Sequence, residues 1–171
     1  MTPKSCLYYS AHRVIINRMT ERDIQKILFE NFVDNRHTRK FRIAVPNIHL
    51  FPKWESDFLG LTSYGYLHEF EIKLSKSDYL ADFNKKRKHN TLRSFHRSKS
   101  ETFRVPKRFY YVIHGFNLSA GELPDYAGLI SVNGNILTKL RTAPDLPAIP
   151  ITSKQTGKIA TSLCYRYWNL L

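Results

Sequence analysis

Glu71 and Lys73 form the acid-x-lysine pattern in this sequence that is best suited to chemistry. They lie in a stretch, 67–74, whose alternation predicts a β-strand, so both side chains are expected on one face. Asp57 stands at the start of the preceding predicted strand, and a hairpin would bring it towards Glu71. Two carboxylates can hold Mg²⁺ or Mn²⁺, while a nearby lysine can orient a water or balance charge. Such a set is suited to phosphodiester hydrolysis.

The pattern alone is weak, because a chain of this length contains about one acid-x-lysine by composition. A Glu–Lys pair on a solvated strand face is the ordinary explanation. Three features favour a function. The chain has a single such pattern, on a predicted strand directly before a helix. An upstream acid heads the paired strand, and the helix that follows carries the main basic cluster.

Glu21 is the candidate fourth member of this site. Thr20 and Asp23 predict a capped helix start, and the apolar spacing that follows predicts a helix over 21–33. At about 100° per residue, Glu21 lies roughly 45° from the centre of the apolar stripe, whereas Glu30 lies roughly 135° away. Glu21 is therefore expected to lean towards the sheet.

The remaining patterns predict the elements that must position these residues. Strands are predicted at 41–45, 58–61, 67–74, 109–113, 128–132 and 136–140, with turns at 63–65 and 133–134. A second helix is predicted to start after Ser75, and a final one spans 153–169. The order predicts an α/β fold, with a mixed central sheet flanked by helices. A single domain over 1–171 is expected, with a core at about 20–140 and a C-terminal loop and helix at 141–171.

The charge of the chain predicts a polyanionic partner. There are 27 Lys and Arg residues against 14 acidic ones, giving a formal net charge of +13. Nucleic acid is the favoured partner. From residue 85 to 108 only Glu101 opposes a long basic run. The candidate phosphate contacts are Lys85, Lys86, Arg87, Lys88 and Arg93.

Other classes of function are disfavoured. Cys6 and Cys164 are too far apart in sequence to indicate a disulfide framework or a zinc site, and the histidines lack close ligand spacing. No run of about 18 apolar residues predicts a membrane span, and no secretory signal is recognised. A reducing, cytoplasmic location is expected.

Ser56, Asp57, Glu71, Ile72 and Lys73, in a helix–strand–hairpin–helix–strand order, resemble the PD-(D/E)xK nuclease superfamily. The runs EIKLSKSDYLAD at 71–82, YYV at 110–112 and YAGLI at 126–130 resemble a small group of bacterial and phage members linked to DNA repair or phage DNA metabolism. The similarity covers roughly residues 20–140. Serine stands where the motif has proline.

The resemblance implies a restriction-endonuclease-like core, αβββαβ, and a metal-dependent deoxyribonuclease. Asp57, Glu71 and the Ile72 carbonyl would bind Mg²⁺ or Mn²⁺, Lys73 would serve the attacking water, and Glu21 would match an acid on the first helix. Two alternatives stay open: a catalytically inactive DNA-binding module of the same fold, and a ribonuclease. A homodimer is compatible with the sequence, and a membrane-surface protein is the least favoured class.

Overall fold

A six-stranded mixed β-sheet flanked by helices organises the chain. The computed structural model describes residues 19–34, 40–51 and 54–168. In these residues the helices are α1 (Glu21–Phe29), α2 (Lys76–Asp82), α3 (Lys86–Ser98) and α4 (Ser153–Trp168). A π-helical turn, Glu30–Asp34, extends α1, and a 3₁₀ turn spans Ala120–Glu122. The strands are β1 (Ile43–Ile48), β2 (Ser56–Leu61), β3 (Leu67–Lys73), β4 (Arg108–Ile113), β5 (Ala127–Asn133) and β6 (Ile136–Arg141).

The strands lie in the sheet in the same order as along the chain. β1, β2 and β3 form an antiparallel meander, β4 and β5 run parallel to β3, and β6 pairs antiparallel at the far edge. Because parallel neighbours need a crossover, the segment from β3 to β4 passes over one face of the sheet as α2 and α3. The predicted mixed sheet with flanking helices is confirmed.

The two faces of the sheet carry different layers. α1 packs on one face against Phe58, Phe70 and Tyr110. On the opposite face α2 and α3 cover Phe109 and Tyr111, and α4 covers the β1–β2 side through Ile159. Glu69, Glu71 and Lys73 point to this second face, while Phe70 and Ile72 point to the first, as the alternation of β3 predicts.

The start of α1 follows the predicted cap. The Thr20 hydroxyl accepts the N–H of Asp23, and the Asp23 carboxylate accepts the N–H of Thr20 at 2.8 Å. Two strands are longer than expected. β2 begins at Ser56, so that Asp57 is part of the strand, and β1 continues through Pro46, which is tolerated because β1 is an edge strand.

The second predicted helix is two helices in the structure. α2 ends at Asp82, and the basic segment that follows forms the separate helix α3. At about 100° per residue, Tyr79 and Leu92 would point about 140° apart on one straight helix. The break between the helices allows both side chains to be buried.

Two features complete the description. None of the helices in the described ranges combines the length and apolar character needed to cross a bilayer. Cys164 is exposed, and Cys6 lies outside the described residues.

Two glycine substitutions test this packing. A Cβ on Gly128 would contact the Tyr110 ring and lie 2.6 Å from the backbone nitrogen of Ala143, whereas a Cβ on Gly157 in α4 would contact nothing within 4 Å. We expect Gly128→Ala to lower the free energy of unfolding by about 1–3 kcal/mol through overpacking. Gly157→Ala should raise it by about 0.5–1 kcal/mol, since it restricts the unfolded chain at a helical position. Urea denaturation measures both, and an equal effect of the two variants would contradict the packing described.

Candidate functional site

The β2–β3 hairpin brings Asp57 next to Glu71. Phe58 pairs with Phe70, so the next pair outward in the antiparallel register is Asp57 with Glu71. The Ile72 N–H donates to Asp57 Oδ2 at 2.8 Å. This bond fixes the Asp57 carboxylate at the end of β3, where the sheet stops pairing with β2.

Glu71 is fully buried and contacts three ammonium groups. Its Oε1 accepts from Lys73 at 3.0 Å and from Lys85 at 2.8 Å, and its Oε2 accepts from Lys88 at 2.5 Å. Lys73 comes from the same strand, whereas Lys85 and Lys88 come from the start of α3. Three separate positive charges therefore compensate one buried carboxylate.

Further acids surround this centre. Glu69 is fully buried, lies 3.6 Å from Lys88 and accepts the Trp54 indole N–H at 3.1 Å. Asp82 lies 3.4 Å from Lys73 and 2.9 Å from Lys85. Glu69, Glu71 and Asp82 thus share three ammonium groups, Asp78 also lies 3.8 Å from Lys73, and Asp57 lies beside Glu71. We call seven of these charged residues the carboxylate–lysine cluster: Asp57, Glu69, Glu71, Lys73, Asp82, Lys85 and Lys88.

The electrostatics divide the acids of the cluster. Burial, together with the neighbouring Glu71 charge, raises the pKa of Asp57 to about 7. Burial also raises the pKa of Glu69 to about 7. Burial acts the same way on Asp82, but the hydrogen bond from His89 and the lysine charges outweigh it and hold the Asp82 pKa below its usual range. Unlike Glu71 and Asp82, Asp57 forms no ion pair with a lysine among the described residues.

Glu21 lies at the rim of the cluster. Gln25 donates to Glu21 Oε1 and to the Asp57 carbonyl, both at 2.9 Å, and so connects α1 to β2. Glu21 is partly buried whereas Glu30 is exposed, which agrees with the predicted orientation of the helix. Burial, opposed by the charge of Lys73, raises the pKa of Glu21.

The predicted phosphate contacts fall into two groups. Lys86, Arg87 and Arg93 are exposed on α3, and the side chain of Lys85 is about half exposed. The expectation that Lys88 belongs to this exposed surface is wrong, because its side chain has no solvent exposure. It points from α3 onto the sheet, where Glu71 binds it and its ammonium lies 4.9 Å from the centre of the Phe109 ring.

Several members of this region were not found from the sequence. Trp54 reaches Glu69 from the loop before β2. Tyr111 donates to Asp82 Oδ2 at 2.9 Å, and a His89 ring nitrogen lies 2.6 Å from the Tyr126 hydroxyl. The spacing between Asp82 and His89 matches no recognised motif. In the sequence the two tyrosines look like ordinary strand aromatics. These contacts hold α2 and α3 onto the sheet beside the cluster.

The oxygens around Asp57 are of the kind that Mg²⁺ and Mn²⁺ prefer. Among the described residues no group of three or more His, Cys, Asp or Glu side chains is arranged to hold a metal. The side-chain ligands that the candidate metal site offers are only two, the carboxylates of Asp57 and Glu71. The Ile72 carbonyl faces the same side as its N–H and hence faces Asp57. Hard oxygen ligands fit a divalent cation.

Comparisons with known proteins add information on the fold. No protein-family model matches the chain, and neither does any curated protein. A solved structure of a protein of unknown function from Silicibacter pomeroyi is similar, with a TM-score of 0.54 and 20% sequence identity. The similarity covers 77% of this chain and 84% of that protein. At this identity the likeness concerns the fold alone.

The raised pKa of Asp57 predicts how stability depends on pH. A folded-state pKa of about 7, above the unfolded value, means that the contribution of Asp57 to stability is lost as pH rises from about 4 through 7. Asp57→Asn keeps an acceptor for the Ile72 N–H and removes the charge. In EDTA at pH 8 it should therefore be more stable than wild type by about 1–2 kcal/mol, with the difference vanishing near pH 4.

Denaturant titrations across this pH range measure the effect. Asp125→Asn, at an exposed aspartate, is the control and should show no such trend. A stability difference for Asp57→Asn that does not change with pH would contradict the raised pKa of Asp57 and its burial beside Glu71.

Proposed function

We propose that the protein is a divalent-metal-dependent deoxyribonuclease with a restriction-endonuclease-like core. The observation that carries the proposal is the pairing of Asp57 with the buried Glu71, with Lys73 at 3.0 Å from Glu71. Two acids and a lysine on a hairpin are the arrangement expected for a phosphodiester-cleaving site, and the exposed basic helix α3 lies beside them.

The element order supports the same proposal. α1, the β1–β2–β3 meander, the α2–α3 crossover and the parallel strand β4 follow the αβββαβ order that the resemblance implies. Asp57 stands in the second strand of the meander and Glu71 and Lys73 in the third, as the motif requires. The fold similarity to a protein of unknown function adds no activity of its own.

The residues of the chain divide the catalytic work. Asp57, Glu71 and the Ile72 carbonyl would hold Mg²⁺ or Mn²⁺, which would supply Lewis-acid activation of water and neutralise phosphate charge. The Lys73 ammonium orients the attacking water and stabilises the charge that grows on it. The water would form a new P–O bond as the P–O bond to the leaving strand breaks, with no covalent enzyme intermediate; its proton would pass to solvent, and the leaving oxygen would take one from solvent.

Lys85 has a second role in this scheme. It contacts both Glu71 and Asp82, and its side chain is about half exposed, while Lys73 and Lys88 are buried. A metal cation bound to Glu71 would replace part of the positive charge that the three lysines supply to this carboxylate. Lys85 is then the lysine that can turn outward and contact a substrate phosphate.

An inactive DNA-binding module is the second candidate function. The observation in its favour is that the three lysines already compensate Glu71, so that this carboxylate is satisfied without a metal. Such a protein would bind DNA through α3 and cut nothing. The raised pKa of Asp57 argues for the enzyme, since that acid lacks an equivalent counter-charge.

The first experiment is a cleavage panel in Mg²⁺ and Mn²⁺ over single-stranded, duplex, flapped and four-way DNA, with matching RNA. We expect wild type to cut DNA. Lys73→Ala, Asp57→Asn and Glu71→Gln should each lose at least about a hundredfold in rate while retaining DNA binding in EDTA. Lys154→Ala, at an exposed lysine on α4, is the control for Lys73→Ala.

The outcomes separate the candidates. Cleavage by Lys73→Ala at the wild-type rate would overturn the assignment of the site. Binding of DNA with no cleavage of any substrate in either metal would favour the inactive module. Cleavage of RNA in place of DNA would identify a ribonuclease.

The second experiment tests the competition between Lys85 and the metal. Lys85→Met removes one of the three ammonium groups that contact the Glu71 carboxylate, so we expect Mn²⁺ to bind about three- to tenfold more tightly. DNA cleavage at saturating metal should nevertheless fall, because a phosphate contact is lost. Calorimetric titration with Mn²⁺ measures the affinity, and Lys86→Met is the control at the adjacent exposed lysine. An unchanged Mn²⁺ affinity in Lys85→Met would disprove the competition.

A further inference from the structure

Two neighbouring cavities run from the candidate active site along α3. The first has a volume of 600 Å³, reaches Asp57 and is bordered by Lys85 and Lys86. The second has a volume of 740 Å³ and lies between α3 and the segment before β4. Trp54 and Arg87 line both cavities, so the two are adjacent.

We propose that the second cavity binds an unpaired nucleotide of the DNA strand whose phosphate lies at the candidate active site. The inference rests on the proposed function, and it adds the substrate class: DNA with a single-stranded segment next to the position of cleavage. We call this second cavity the nucleotide cavity. Its lining includes Trp54, Arg87, Asn90, Ser94, Phe95 and Arg104.

The lining combines the groups that a nucleotide needs. Phe95, which is partly exposed, gives an aromatic surface against which a base can pack. The Asn90 amide and the Ser94 hydroxyl can hydrogen-bond to the edge of a base. Arg87 and Arg104 supply positive charge for the phosphate, and none of the described residues that line this cavity is acidic. The volume lies within the usual range for small-ligand sites.

The aromatic lining of the cavity favours an unpaired base over a duplex. Phe95 is partly exposed, so a base can reach its ring, whereas Trp54 is only 6% exposed and contributes little accessible surface. A base inside a duplex is stacked on both faces and paired along its edge, so it cannot reach such a surface without leaving the helix. A duplex would touch the exposed arginines of α3 through its phosphates and leave the aromatic lining unused.

Two further observations connect the cavity to the rest of the site. Trp54 donates its indole N–H to Glu69, so the lining is attached to the carboxylate–lysine cluster. On the other side, Asn90 and Ser94 also line a cavity of 530 Å³ that is bordered by Arg93 and Arg97. Arg93, a predicted phosphate contact, therefore lies where a strand leaving the nucleotide cavity would continue along α3.

The test fills the cavity without changing the charge. Ser94 is exposed on α3, so Ser94→Trp should fold and occupy the space of the base. Binding is measured by fluorescence anisotropy in EDTA, with an oligothymidylate of about twelve nucleotides and a blunt duplex of equal length. We expect Ser94→Trp to weaken oligothymidylate binding by about tenfold and to change duplex binding by less than about twofold. Ser100→Trp, just beyond α3 and also exposed, is the control.

A second variant separates the charge from the cavity. Arg104→Ala should weaken oligothymidylate binding and lower the slope of log affinity against log salt by about 0.7, the value for one phosphate contact on a single strand. Ser94→Trp should leave that slope unchanged. Arg22→Ala, at an exposed arginine on α1, is the control for the loss of charge. Equal losses on single-stranded and duplex DNA, or no loss in Ser94→Trp, would overturn the inference.

Failure of this inference and failure of the proposed function give different results. The binding measurements need neither metal nor cleavage, so selective loss in Ser94→Trp supports the nucleotide cavity even if no variant cuts DNA. Conversely, cleavage that depends on Lys73 while Ser94→Trp binds both probes normally supports the nuclease and rejects the cavity.

Discussion

The burial of the Glu71 carboxylate is the constraint on which this structure depends. An isolated ionised carboxylate inside a protein costs several kcal/mol, and breaking a buried ion pair costs about 3–5 kcal/mol. Glu71 avoids this cost because three ammonium groups lie within 3.0 Å of its oxygens. Two of those groups belong to α3, so the helix must sit close to the sheet and in one orientation. The break between α2 and α3 allows that approach.

The same constraint explains why the acids of the cluster differ. Asp82 is bonded by Tyr111 and lies close to two lysines, so its charge is well compensated. Asp57 accepts a single backbone N–H, and its burial, together with the negative charge of Glu71, raises its pKa. A molecule selected only for stability would gain by replacing such an acid with a neutral residue. The charge of Asp57 has a use if it binds a ligand, as it would at the proposed metal site.

Local patterns in the sequence were sufficient to predict the two hairpin strands that carry Asp57, Glu71 and Lys73. The alternation from 67 to 74 and the 63–65 turn predicted the hairpin, and the Thr20–Asp23 pair predicted the start of α1. The helix α3 was missed because its sequence, KRKHNTLRSFHRS, has few apolar residues and resembles a solvated basic segment. Lys88 was misassigned for the same reason, since lysine is almost never fully buried unless it is paired. Its partners, Glu69 and Glu71, meet it only after the crossover folds, and Trp54 likewise finds Glu69 through tertiary structure.

The strand order of the sheet has a consequence for how the cluster assembles. Each strand lies beside its neighbours along the chain, and β2 and β3 are joined by a short turn. Hairpins of this kind form in about 1–10 µs, whereas parallel pairing through a crossover is slower because it closes a longer loop. We therefore expect Asp57 and Glu71 to meet early in folding, while water still surrounds both carboxylates. Lys85 and Lys88 reach these carboxylates only when the α2–α3 crossover packs on the sheet and excludes this water. The opposite charges are therefore buried in the same step.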